Sequence, residues 1–180
     1  MSICISFALA EVSKIEAAAG SCDDELFDRI VDENREDLEA DLAEREPEEL
    51  SELEALRRLI FDDYTGNDWN NTFNHAFCTL ASGFDCRWLE DIDVEWVKSL
   101  GDELAALNID AARPEWFTEG CHWSHEDCRR VWQQWEAVTP DQRASLTPEA
   151  AKQIGLWMGW VEEAVSTTTL GIFGVFFAEG

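Results

Sequence analysis

The chain has 180 residues and a net charge of −26, from 39 acidic and 13 basic side chains. That charge attracts cationic partners, and no cluster of Lys and Arg is present to neutralise phosphates, so direct nucleic-acid binding is not expected. With 46% hydrophobic residues, nine Trp and ten Phe the composition is globular, since disordered acidic chains lack aromatics, and the length suits one domain with a sizeable core.

The opening residues carry no basic stretch and their apolar run ends at Ala10, which makes a poor secretory signal. The apolar run from Ile154 to Phe177 is broken by Glu162 and Glu163, too soon for a membrane span. A cytoplasmic protein is therefore expected, with no membrane partner and its six cysteines held as thiols.

Ser2 to Ala8 alternates, with Ile3, Ile5 and Phe7 on one side, and predicts a short strand. A helix from about Ala10 to Ala19 should stop at Gly20, and Ser21 is placed to cap the next one, which buries Leu26, Phe27, Ile30 and Val31. From Asp32 to Glu49 apolar residues thin to Leu38 and Leu42, the pattern of a solvated helical arm or a mobile acidic segment. Pro47 is expected to open a helix whose leucine face runs from Leu50 through Leu53, Leu56, Leu59 and Ile60 to Phe61.

Past Tyr64–Asn67 charge falls and aromatics begin, dividing an acidic helical segment (21–63) from an aromatic-rich one (67–177). Trp69, Phe73, Phe77 and Leu80 form a helical stripe ending near Gly83. Asp93 is placed to cap a helix reaching Leu107, and Ile109 to Gly120 reads as a long connection. Ser124-His125-Glu126-Asp127 resembles a capping box with Asp at the fourth position, opening a helix with Cys128, Val131, Trp132 and Trp135 inward. Thr139-Pro140 and Thr147-Pro148 repeat a cap-then-proline signal. The second of these starts a helix to about Val165 on which Gly155 and Gly159 should permit close approach of another helix. Leu170 to Phe177 reads as a strand. The expected architecture is α+β and mostly helical, a single compact domain with a small sheet formed by its N- and C-terminal strands.

The layout resembles an uncharacterised family of small bacterial proteins catalogued as a domain of unknown function. The resemblance rests on the opening strand, Ile15–Ser21, Asp24-Glu25-Leu26, Leu56–Ile60, Phe77–Leu80 before a glycine, the late Glu126 helix and the Phe-rich terminal strand. It implies a compact bacterial domain and supplies no catalytic residues.

Two readings of function follow from the residues. The charge is uneven: Asp23 to Asp63 holds 18 acidic and 5 basic side chains, half of the net charge in 41 of 180 positions. Carboxylates at helical spacing, Glu36, Glu39, Glu44, Glu48 and Glu52 among them, can occupy the basic surface of a protein partner. An inhibitor, an immunity-type protein or a nucleic-acid mimic would all look like this; a solvated face or a salt-adapted host gives the same pattern. The alternative is a small metal- or ligand-binding enzyme centred on residues 116–128. Cys121, His122, His125 and Cys128 lie within eight positions, and His75-x-x-Cys78 repeats the His125-x-x-Cys128 spacing, so two such pairs on facing helices would offer zinc a Cys₂His₂ site. Without zinc no cofactor is implied, and buried Cys acting as a small hydrophobe explains the same residues. Asp62-Asp63 and Asp91-x-Asp93 are carboxylate pairs of the kind that hold Mg²⁺ or Ca²⁺. Trp88, Trp116 and Trp123 lie outside clear helical patterns and are candidates for exposed binding anchors.

Overall fold

The computed structural model describes residues 2–46, 49–61, 71–84, 86–110 and 120–179. The first strand, β1 (Ser2–Ala10), is followed by α1 (Val12–Ala18), α2 (Asp24–Glu33), α3 (Arg35–Glu44), α4 (Glu52–Phe61) and α5 (Asn71–Ser82). Next come β2 (Arg87–Asp93), α6 (Val94–Ala106), β3 (Gly120–Trp123), α7 (His125–Ala137), α8 (Pro140–Ala144), α9 (Pro148–Ser166) and β4 (Gly171–Glu179). The fold is mostly helical α+β. As expected, β1 pairs antiparallel with β4, in register from Ser2 opposite Glu179 to Ala10 opposite Gly171. β2 and β3 add at the edges, giving the antiparallel order β2-β1-β4-β3.

Both faces of the central strands are covered, because their alternate residues feed two separate cores. Ile5, Phe7, Leu9, Ile172 and Phe176 point to one core, where α6, α7 and α9 bring Leu100, Leu104, Val131, Ile154, Trp157 and Val161. Ala10, Phe173 and Val175 point to the other, met by Ile15, Ile30, Leu56, Leu59, Phe73 and Leu80 from α1, α2, α4 and α5. Burial on both sides is why β1 alternates only loosely: its second face is alanine where helices approach. An aromatic cluster fills the first core. Trp157 lies edge-on to Trp123 at 4.5 Å and to Phe7 at 5.7 Å between ring centres, and such pairs add about 0.5–1.5 kcal/mol each beyond simple burial.

Helix starts follow local side-chain chemistry. Asp93 accepts from the Glu95 N–H at 2.7 Å, Ser124 and Asp127 close the expected capping box, and Thr139 and Thr147 cap α8 and α9. Several expectations need correction. Asp23, not Ser21, caps α2, accepting from the Leu26 N–H at 3.0 Å. Gly20 and Cys22 take positive φ (68° and 56°), and their N–H groups donate to Leu59 and Ile60 carbonyls at the end of α4, so the turn is held clear of the helix. α1 starts at Val12 because Ala10 is still paired in the sheet. Within the acidic stretch the helical-arm alternative is the one observed: α3 is an ordered, mostly exposed helix that buries Leu38. α4 starts at Glu52, where Asp41 accepts the Glu52 N–H at 2.8 Å; Pro47 lies outside the described residues, as does Trp69. Gly155 and Gly159 face open space, since a Cβ at either would meet nothing within 4 Å, so they mediate no close approach. Trp123 is buried rather than exposed because β3, unexpected from sequence, carries it into the aromatic cluster.

Candidate functional site

The acidic segment folds into α2, α3 and α4, and its exposed faces carry the charge. Four of its five arginines are spent in local ion pairs, and the fifth, Arg57, lies over the Phe61 ring. Arg29 pairs with Glu33 (3.3 Å), Arg35 with Asp32 (2.5 Å), Arg45 with Asp41 (2.6 Å) and Arg58 with Glu54 (3.3 Å), each three or four residues apart. Glu36, Glu39 and Glu44 are exposed on α3, and among the described residues no ion pair includes them. α3 gives the interior only Leu38, so its remaining surface is available to solvent or to a partner.

One of the expected contact residues does not belong to this surface. Glu52 is half-buried and accepts a hydrogen bond from the Thr79 hydroxyl of α5. It joins two helices, a role that no local sequence signal announces because Thr79 is 27 positions away. Glu48 lies outside the described residues.

The cysteine and histidine set is dispersed. His75 and Cys78 are on α5 and His125 and Cys128 on α7, and these helices cover opposite faces of the sheet. The two His-x-x-Cys pairs therefore cannot converge on one ion, which overturns the facing-helix Cys₂His₂ arrangement. Among the described residues, no group of three or more His, Cys, Asp or Glu is placed to hold a metal. His75 sits against the Phe177 ring at 5.1 Å. His122 places Nε2 2.7 Å from a Glu16 carboxylate oxygen, linking β3 to α1. His125 has Nδ1 3.0 Å from the Leu170 carbonyl. Burial pushes the Cys128 thiol up to about 12, and the side chain packs as a small hydrophobe in the first core. The Cys78 thiol is raised further, by burial first and then by Cys86, Glu52 and Asp91. The Cys121 side chain lies outside the described residues, while Cys22, Cys78, Cys86 and Cys128 are free thiols.

The carboxylate pairs fare similarly. Asp91 accepts from the Ser6 hydroxyl at 2.5 Å and Asp93 caps α6, so each already has a separate structural task; Asp62 and Asp63 lie outside the described residues. Trp88 is 40% exposed on the edge strand β2, in keeping with its reading as an exposed tryptophan; Trp116 lies outside the described residues. No helix among the described residues is long and apolar enough to cross a membrane.

Compared with known families, residues 1–177 match the one described as a domain of unknown function (DUF7691). No curated protein and no solved structure matches the chain.

Proposed function

Since the chain belongs to the DUF7691 family, whose description assigns no activity, we propose a function from its surface: a non-enzymatic, acidic interaction protein of the bacterial cytoplasm that binds a basic protein partner through α3 and its neighbours. The observation that carries this reading is the trio Glu36, Glu39 and Glu44, exposed on a helix that buries one residue and in no ion pair among the described residues. Within the trio, Glu36 and Glu39 are three positions apart, a like-charge spacing that costs roughly a few tenths of a kcal/mol on a helix. A basic partner relieves that repulsion on docking and is drawn in by the surrounding field. Inhibition, immunity and mimicry of a nucleic-acid backbone are three uses of this one electrostatic mechanism.

The test is capture from host lysate at low and moderate salt, with bound proteins identified by mass spectrometry, followed by direct binding of the identified protein to wild type and to Glu36→Gln/Glu39→Gln/Glu44→Gln. A basic protein held at low salt, released at higher salt and bound more weakly by the folded triple variant supports the reading. Equal binding by the triple variant refutes it.

A further inference from the structure

A cleft of about 180 Å³ opens between the β2 edge and α5, lined by Trp88, Glu90 and Asp91 of β2, Ser6 of β1, Cys78 of α5 and Phe177 of β4. We propose that this cleft binds the ammonium or guanidinium head group of a lysine or arginine side chain presented by a basic protein, with Trp88 as its aromatic wall and Glu90 and Asp91 as its counter-charges. The proposal rests on the preceding section for the source of the head group, but not for the chemistry of the cleft.

Four observations converge on a cation. Trp88 leaves 40% of its surface to solvent, one of two large hydrophobics so exposed among the described residues; the other is Leu42. An indole face attracts ammonium and guanidinium groups through its quadrupole, and Arg is favoured among protein side chains. The lining residues include two carboxylates and no cation. The one basic residue of β2, Arg87, is drawn away to Glu163 of α9 at 2.5 Å, and α9 packs on the other face of the sheet. Asp91 accepts the Ser6 hydroxyl, which fixes one carboxylate oxygen and leaves the second for a donor. Cys78 contributes no charge of its own, because burial first, and then the carboxylates of Glu52 and Asp91, keep its thiol protonated. The cleft thus has an apolar floor within a negative field.

Size narrows the ligand further. Sites for drug-sized molecules span about 300–1,000 Å³, so this cleft suits a single head group on an alkyl stem and not a nucleotide or a sugar chain. A long basic side chain meets both requirements, with methylenes against Phe177 and Trp88 and charge toward the carboxylates.

The test uses the ¹⁵N-labelled full chain and follows the Trp88 indole N–H signal by NMR. The probes are n-butylammonium and n-butylguanidinium, with n-butanol as neutral isostere and NaCl at matched ionic strength. Saturable shifts with the two cations and none with butanol or NaCl are expected. Glu90→Gln/Asp91→Asn, which retains an oxygen for Ser6, should weaken probe binding roughly three- to thirtyfold, with its melting midpoint checking the fold. Equal saturation by butanol, a shift that follows ionic strength alone, or unchanged affinity in the folded double variant overturns the proposal. If that variant does not fold, the comparison of cations with butanol on wild type decides. Probe binding alongside lysate capture insensitive to the α3 substitutions would remove the α3 reading and leave the cleft standing. The reverse pattern would remove the cleft alone.

Discussion

Replacing Gly155 and Gly159 together by alanine is expected to stabilise the protein by about 2 kcal/mol. Both lie inside α9, between its cap at Thr147 and its last turn at Ser166, and both are solvent-exposed. Glycine in a helix interior is less favourable than alanine by roughly 0.8–1.0 kcal/mol, because the unfolded chain has more backbone freedom to lose. That gain is often cancelled by steric conflict, but a Cβ at either position would meet nothing within 4 Å. The full propensity difference should therefore appear at both sites. For a chain of this length each kcal/mol raises the melting midpoint by about 2–4 °C, so the double variant should melt about 4–8 °C higher. Thermal and urea unfolding followed by circular dichroism measure it, with Gly101→Ala on the exposed face of α6 as an independent control expected to gain about half as much. A double variant no more stable than wild type would refute the reasoning, and would mean that this face of α9 is packed against something in solution.

At Gly171 the same substitution should act in the opposite direction. A Cβ there would lie 2.2 Å from the Trp123 carbonyl oxygen; because the obstacle is main chain, Gly171→Ala should cost at least about 1–3 kcal/mol in urea unfolding. The Asp127 carboxyl is held below the usual carboxylate range: burial alone would raise it, but the Ser124 hydroxyl and N–H and Arg130 outweigh burial. Its stabilisation is therefore present above the unfolded carboxylate value of about 4 and is lost as pH falls through the folded value. Asp127→Asn should be less stable than wild type at pH 7, and the gap should close in acid, as unfolding at a series of pH values would reveal. Alkylation by iodoacetamide at pH 8, read by peptide mass spectrometry, should label exposed Cys22 at least roughly tenfold faster than Cys86 or Cys128, whose thiols burial pushes up to about 11 and about 12. Equal rates would show that those cysteines are not shielded.

What was legible in the sequence was what depends on near neighbours. Asp93, Ser124, Thr139 and Thr147 act on N–H groups two or three positions ahead, so their spacing alone announces helix starts. β1 was readable from the alternation of Ile3, Ile5 and Phe7, and β4 as a Phe-rich apolar run from Leu170 to Phe177. β2 and β3 were not. β2 is an edge strand with Ile92 as its one buried side chain, and β3 is four residues placed immediately before a capping box; neither offers alternation. Sequence likewise located the acidic segment but not the division of labour within it. The freedom of Glu36 and the engagement of Glu52 differ because Thr79 of α5 reaches the latter, a contact made only once the helices pack. The His-x-x-Cys pairs failed for the same kind of reason: spacing fixes ligands along a helix, whereas the sheet decides which helices can face one another.

The pairing of β1 with β4 sets the order in which the molecule can assemble. Joining Ala10 to Gly171 closes a loop of roughly 160 residues, against a few in a hairpin, and the logarithmic dependence of closure entropy makes the difference about 3 kcal/mol. Contacts within α2, α3, α4 and α5 close much shorter loops and can form ahead of it, shrinking the effective distance between the two strands. The mostly helical composition therefore does not imply the speed of a helical bundle. The central pair of the sheet is its most non-local contact, and the folding rate should be that of a chain waiting for two distant segments to meet.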